Sequence, residues 1–209
     1  MAQPKPPFVF PREYSFPPFF TRQTNLTTHH AQLEKWSALI LAYTQHHRIF
    51  KLTPPSAASS STAAAAADPS LSPTAAAAHS THNTDDLFHN KALNRRLAPA
   101  DAREVLDAMR RDGRAETVAR DGDAVWVYWR TPEEWAALVE AWVDDTAQKG
   151  VVVTLYELTE GDTSIGTGLG ETEFHGMDPD LLLKALQVLA KRGKAQVFGQ
   201  DDSLGVKFF

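Results

Sequence analysis

Apolar residues recur at helical spacing in two copies of one sequence unit. The pattern at residues 34–43 returns at 133–142, an offset of 99, and the pattern at 108–116 returns at 188–196, an offset of 80. The offset falls from 99 to 80, so the first copy holds 19 more residues. At the offset of 80, three aromatic residues of the first copy, Trp126, Tyr128 and Trp129, align with Val206, Phe208 and Phe209 of the second. The repeats predict a tandem duplication of one small domain.

The first copy is predicted to begin with three helices. The first spans about 28–47, the second begins at Asp85 or Asp86, and the third begins at Pro99 and ends before Gly113, a residue suited to a left-handed C-cap. Helical spacing places the apolar residues of each helix on one face. These residues are Leu33, Trp36, Leu39, Ile40 and Tyr43, then Leu87, Phe88, Leu93 and Leu97, then Val105, Leu106 and Met109.

A β-hairpin is predicted to follow the third helix. Its strands lie at 115–120 and 125–129, and an Asp-Gly pair between two apolar-rich segments favours a hairpin turn. The second copy repeats the order of elements. Its predicted elements are a helix capped by Thr131, a strand at 151–153, a helical turn at 154–160, a helix at 179–191 capped by Asp178, and strands at 195–200 and 204–209.

Three helices followed by a two-stranded wing are typical of a winged helix. The sequence therefore predicts an α+β, mostly helical chain with two tandem winged-helix domains, at 26–130 and 131–209, after an extended Pro-rich arm at 1–25. Within the first domain, residues 53–84 are rich in Ala, Ser and Pro and contain no apolar stripe. Such a segment has nothing to bury, so we expect a disordered, functionally passive insertion.

The N-terminal arm combines prolines with aromatic residues. Proline fixes φ and removes backbone donors, so the arm is predicted to be extended or polyproline II. Its aromatics cannot form a core of their own, and some must pack on the adjacent domain. The segment Pro17-Pro18-Phe19-Phe20 is rigid and presents aromatic rings, which favours docking into a groove of another protein.

Composition excludes several classes of site. The 209 residues contain no Cys, which excludes disulfides and thiolate chemistry, and no apolar run reaches membrane-spanning length. The histidines include two adjacent pairs, 29–30 and 46–47, which split across helix faces instead of converging on a metal. The Gly-rich run at 166–170 is followed by Glu171, which would repel phosphate. We expect a soluble intracellular protein that is not an enzyme and needs no cofactor or metal.

Arginines around the third predicted helix leave nucleic-acid binding as the alternative function. That helix would be the recognition helix of a DNA-binding winged helix. The net charge of −5 and the interspersed acidic residues Glu104, Asp107 and Asp112 favour protein contact instead. The arginines are Arg95, Arg96, Arg103, Arg110, Arg111 and Arg114.

Several motifs in order resemble the family of small twin winged-helix subunits of the ESCRT-II complex. The resemblance covers nearly the whole chain outside 52–84. It rests on YSFPPFFTRQ at 14–23, PEEW at 132–135, TLYEL at 154–158, EFHG at 173–176 and GVKFF at 205–209. It implies a non-enzymatic adaptor, present in two copies beside two larger subunits in a cytosolic complex that is recruited to the endosomal membrane. The complex sorts ubiquitinated membrane proteins into multivesicular bodies, and this subunit's own membrane contact is indirect.

The resemblance also implies two protein-binding sites. In the family, Pro-Pro-x-aromatic motifs of the arm insert into pockets of the larger subunits, which here assigns Pro17, Pro18, Phe19 and Phe20. An upstream copy falls on Pro11 and Tyr14, with Arg12 in place of the second proline, and Pro6-Pro7-Phe8 is a further candidate. The family's second winged helix recruits the ESCRT-III subunit that nucleates filaments. The candidate surface for that contact is Val153, Thr154 and Leu155.

Overall fold

A computed structural model defines the fold over five stretches, and contacts divide the chain into two units, Met1–Trp129 and Arg130–Phe209. The described residues are 6–55, 85–118, 123–161, 172–199 and 204–209. Three sequence predictions therefore lie outside them: the insertion from residue 56 onward, the Asp-Gly turn, and the Gly-rich run.

The first unit is built on two long helices, α1 (Leu26–His47) and α3 (Pro99–Arg111). α1 begins two residues earlier than predicted, because the side chain of Asn25 accepts a hydrogen bond of 3.1 Å from the Thr28 amide. Gly113 follows α3 with φ of +69°, as the predicted left-handed C-cap requires. Both helices bury the apolar faces that the spacing predicted.

The predicted second helix is wrong beyond its first turn. Only α2 (Asp85–Phe88) is helical, and two short antiparallel strands follow it, β2 (His89–Asn90) and β3 (Arg95–Arg96). The Leu97 amide donates to the Phe88 carbonyl at 2.9 Å, which closes this small hairpin. The apolar residues assigned to the helix nevertheless enter the core, since Leu87, Phe88 and Leu97 are buried.

A three-stranded antiparallel sheet completes the first unit. Its strands are β1 (Lys51–Leu52), β4 (Ala115–Thr117) and β5 (Val125–Val127), in the order β1-β5-β4. β4 and β5 are the predicted hairpin with shorter strands. The sequence pattern did not predict β1, which is only two residues long.

The second unit repeats this topology. Its helices are α4 (Pro132–Asp145), α5 (Leu155–Glu160) and α6 (Pro179–Lys191), and its strands β6 (Val152–Thr154), β7 (Ala195–Phe198) and β8 (Gly205–Phe208) pair in the order β6-β8-β7. The predicted caps are present. Thr131 and Glu134 form a reciprocal capping box, and the Asp178 side chain accepts from the Asp180 amide.

Strand register corrects the predicted alignment of the two wings by one residue. Ala115 pairs with Val127, whereas its counterpart Ala195 pairs with Phe208. Val127 therefore corresponds to Phe208, an offset of 81 instead of 80. Strand side chains alternate between faces, so one residue decides which ring is buried. The predicted alignment of Tyr128 with Phe208 between the two repeats is wrong for this reason.

Candidate protein-binding surfaces

The arm is folded into two turns of 3₁₀-helix, Arg12–Ser15 and Pro17–Phe20. The prediction of an extended arm is therefore wrong over these residues. Proline at the first two positions of the second turn explains the difference, because its fixed φ near −65° suits a 3₁₀-helix as well as an extended chain.

The aromatic rings of the arm belong to the core of the first unit. Phe19 is 6% exposed and stacks on Trp36, with ring centroids 4.5 Å apart and planes inclined by 4°. Phe20 is also buried and meets the same indole edge to face. These two rings, which the sequence assigned to a partner's pocket, are among the aromatics that pack on the adjacent domain. In this structure Phe19 and Phe20 occupy the chain's own core, so they present no rings to a partner's pocket.

Hydrogen bonds fix the arm backbone at two points. The Phe19 carbonyl accepts from Gln32 Nε2 at 2.8 Å and from Trp36 Nε1 at 3.0 Å. The Tyr14 hydroxyl donates to the Asp86 carbonyl at 2.6 Å, and the Tyr14 carbonyl accepts from Asn90 Nδ2 at 2.7 Å. Tyr14 thus joins the arm to α2 and β2, which are far away in sequence.

The opposite side of the arm carries the prolines assigned to partner binding. Pro11, Pro17 and Pro18 are exposed, while Tyr14 is buried beneath them. Phe16 lies between the two 3₁₀ turns and is 61% exposed, although sequence reasoning did not single it out. Its position between Tyr14 and Pro17 gave no signal, because the face of an irregular segment is set by tertiary contacts.

An ion pair holds the middle of the arm against α1. Lys35 Nζ lies 2.8 Å from Glu13 Oε1. The hydrogen bond from Lys35 lowers the pKa of the Glu13 carboxyl below its ordinary value. At pH values above the ordinary carboxyl pKa, the lowered pKa of Glu13 stabilises the folded arm. This contribution is lost as the pH falls through the lowered pKa.

The residues assigned to the ESCRT-III contact divide between the interior and the surface of the second unit. Val153 and Leu155 are buried, whereas Thr154 is exposed. Thr154 caps α5: its Oγ1 accepts from the Glu157 amide at 3.1 Å, and its own amide donates to Glu157 Oε2 at 2.7 Å. Only Thr154 of the three can meet a partner with its whole side chain.

Two exposed apolar residues flank that position and were missed. Val152 is 53% exposed and Tyr156 is 70% exposed. Strand alternation was the available signal for Val152, since burial of Val153 implies that Val152 and Thr154 face outward. Val152 pairs across the sheet with Lys207 of β8, so the outward face of the sheet carries a positive charge beside it.

The arginines that left nucleic-acid binding open are largely engaged within the first unit. Arg110 pairs with Asp107, and Arg103 lies 4.0 Å from Asp123. The Arg114 guanidinium approaches the carbonyls of Tyr128 and Trp129 at 3.5 Å. Ion pairs and backbone hydrogen bonds of this kind are typical of a solvated or structural surface, and they favour protein contact over phosphate contact.

The described stretches contain neither a candidate metal site nor a candidate membrane-spanning helix. Within them, no group of three or more His, Cys, Asp or Glu side chains is arranged to hold a metal ion. None of the helices described there has the length and hydropathy needed to cross a membrane.

The chain is similar to known proteins over nearly its whole length. The family model described as ESCRT-II complex subunit matches residues 13–178. Vacuolar protein-sorting-associated protein 25 of Danio rerio is 33% identical over 202 residues, covering 97% of this chain and 99% of the relative. The Homo sapiens protein of the same name is 34% identical, covering 97% and 98%.

Solved structures show the same fold. The crystal structure of subunit VPS25 of the endosomal trafficking complex ESCRT-II matches with a TM-score of 0.73 at 23% identity, covering 95% of this chain and 98% of that chain. A chain of the endosomal complex ESCRT-II (VPS22/VPS25/VPS36) matches with a TM-score of 0.71 at 25% identity over the same shares. These matches confirm the predicted α+β fold class. With the family match over most of its length, this chain belongs to the family of ESCRT-II complex subunits.

Proposed function

We propose that this protein is the small, non-enzymatic adaptor subunit of an ESCRT-II complex in the cytoplasm. Two copies would join two larger subunits, the counterparts of VPS22 and VPS36 in the related complex. The second unit would recruit the ESCRT-III subunit that nucleates filaments on endosomes. The assembly would then sort ubiquitinated membrane proteins into multivesicular bodies, with indirect membrane contact for this subunit.

The observation that carries the assembly proposal is the two-sided arm. Its inner side, Tyr14, Phe19 and Phe20, is anchored in the first unit, and its outer side presents Pro11, Pro17 and Pro18 to solvent. An anchored segment loses little conformational entropy on binding, which is how preorganisation strengthens an interface. The prolines and the exposed ring of Phe16 are therefore the groups that we assign to the larger subunits.

Changing both Pro17 and Pro18 to Asp is expected to weaken binding to the larger subunits by about tenfold or more, because charges would enter an apolar contact. Both side chains are exposed, so the chain should remain folded. Biolayer interferometry with the purified larger subunits measures the affinity, and circular dichroism checks the fold. Pro132→Asp is the matched control, since aspartate is favourable in the first turn of α4. Equal affinities of the two variants would contradict the assignment.

The proposed ESCRT-III contact lies around Thr154 in the second unit. Val153 and Leu155 support it from the interior, and Val152 and Tyr156 extend it on the surface. An outward apolar patch on a small sheet is a common feature of protein interfaces. A partner helix with an apolar face would cover Val152 and Thr154 together.

Val152→Asp is expected to reduce binding of the ESCRT-III subunit's first helix by about tenfold, because an aspartate would be desolvated in the contact. The fold should persist, since Lys207 lies directly across the sheet and can pair with the new carboxylate. Fluorescence anisotropy with a labelled helix peptide measures the affinity. The Pro17 and Pro18 variant provides the control and should keep full affinity for this peptide. If Val152→Asp also keeps it, the contact lies elsewhere.

A further inference from the structure

The boundary between the two units is the peptide bond that joins Trp129 to Arg130. Boundaries between domains usually fall in exposed, flexible linkers, and relative motion of the domains is then the default expectation. Here the two residues before the bond are held within the first unit, and the two residues after it are held within the second. The chain therefore has no slack residue at this boundary.

On the side of the first unit, contacts with Arg114 and Phe50 hold the chain up to the boundary. The Tyr128 amide donates to the Arg114 carbonyl at 2.8 Å, and the Arg114 guanidinium approaches the Trp129 carbonyl at 3.5 Å. The Trp129 ring packs against the Phe50 ring with centroids 4.7 Å apart. Trp129, the last residue of this unit, is thus held through both its carbonyl and its ring.

On the side of the second unit, the side chain of Arg130 makes the first contacts. Its guanidinium lies 2.6 Å from Glu173 Oε2, and its Cζ lies 5.5 Å from the centroid of the Trp135 ring. Trp135 is a buried residue of α4, so the cation rests on the core of the unit. The next residue, Thr131, donates its amide to Glu134 Oε2 at 2.7 Å in the capping box.

Glu173 is a fixed anchor for Arg130, because the segment that carries it is packed into the second unit. The neighbouring Phe174 is buried and meets Trp142 of α4 edge to face at 5.5 Å. Two residues later, the Gly176 amide donates to the Thr159 carbonyl at 2.5 Å. The EFHG motif thus places a carboxylate beside the first residue of the second unit.

The remaining freedom at the boundary lies in three torsion angles. They are ψ of Trp129 and φ and ψ of Arg130, since the peptide bonds themselves are planar. An ion pair and a ring contact at the end of the Arg130 side chain restrain the backbone that carries it. We propose that Arg130 is a positioning residue that restrains this pivot, so that the two units keep a narrow range of relative orientations in solution.

Double electron–electron resonance between two spin labels tests this restraint. The chain has no cysteine, so Ala100→Cys on α3 and Ala137→Cys on α4, both exposed, place one label in each unit. The distance distribution should be nearly as narrow as that of a pair within the first unit, Ala38→Cys with Ala100→Cys. Arg130→Ala should widen the distribution between the units by about twofold or more, because relative motion is the default once the junction is released.

Two further variants separate the pivot from the stability of the second unit. Glu173→Gln removes the same ion pair from its other end and should also widen the distribution. Glu133→Gln, an exposed carboxylate in the first turn of α4, is the matched control and should leave it unchanged. Amide hydrogen exchange in α4 should stay the same in all three variants.

Equal widths for Arg130→Ala and Glu133→Gln would overturn the proposal, as would an unchanged chain whose distribution is already as wide as that of Arg130→Ala. If Arg130→Ala also speeds exchange in α4, the Glu173→Gln variant decides. Widening without faster exchange in that variant supports the restrained pivot, and an unchanged width overturns it.

Discussion

Replacing Phe19 by alanine is expected to destabilise the first unit by about 3–5 kcal/mol, the usual range for truncating a buried aromatic residue. The variant lacks the ring that stacks on Trp36, and a cavity is left against α1. Urea unfolding of the full chain, monitored by amide hydrogen exchange in α1, measures the change in stability of the first unit. Exchange is needed because a chain of two units does not have a single free energy of unfolding.

Phe16→Ala is the matched control for this prediction. The same ring is removed three residues earlier, but there it is 61% exposed, so stability should change by about 0.5 kcal/mol or less. The opposite pattern is equally informative. If Phe19→Ala leaves α1 exchange unchanged and abolishes assembly, Phe19 docks on a partner and its place in the core is wrong.

The arm shows why its fold could not be predicted from the sequence alone. A run of prolines and aromatic rings predicts burial, but it does not determine whether the rings bury in their own domain or in a partner. The deciding contacts are distant in sequence. Trp36 Nε1 donates to a carbonyl 17 residues away, and Asn90 Nδ2 donates to the Tyr14 carbonyl 76 residues away. No local pattern encodes either bond.

Elements with local signals were predicted well. α4 and α6 each begin with a capping residue followed by proline, at Thr131 and Asp178, and their boundaries follow from these signals. The second helix of the first unit failed beyond its first turn because, after the capping residue predicted at Asp85 or Asp86, its only signal was apolar spacing. There the chain turns at Asn94, which has φ of +49°, and the buried Asn90 bonds to the arm instead of continuing a helix. Long-range bonds outweighed local spacing.

The proposed ESCRT-III surface of the second unit could be predicted from the sequence only in part. The sequence predicted strand β6, but it assigned Val153 and Leu155 to the surface as if a whole segment faced outward. Alternation along a strand with one buried face places Val152 and Thr154 on the other face. That rule requires one buried residue as a reference, and burial of Val153 supplies it. The rule applies to β6 and not to the irregular arm.

Replacing Phe208 by alanine is expected to destabilise the second unit by about 3–5 kcal/mol, whereas Phe209→Ala should change its stability by about 0.5 kcal/mol or less. The strand register places Phe208 opposite Ala195, with its ring 2% exposed, while the next residue, Phe209, is 52% exposed. Phe208 meets Trp142 of α4 edge to face at 6.5 Å, so its loss opens the core beside that helix. Amide exchange in α4 of the full chain measures both variants.

The same pair of variants tests how the duplication is aligned. At an offset of 81, Phe208 corresponds to the buried Val127, and Phe209 corresponds to Tyr128. Backbone bonds support this offset, because the Tyr128 amide donates to Arg114 and the Phe209 amide donates to Lys194. At an offset of 80, Phe208 would correspond to Tyr128 instead. If Phe209→Ala proves the more destabilising variant, the wing of the second unit is shifted by one residue and its inward and outward faces are exchanged.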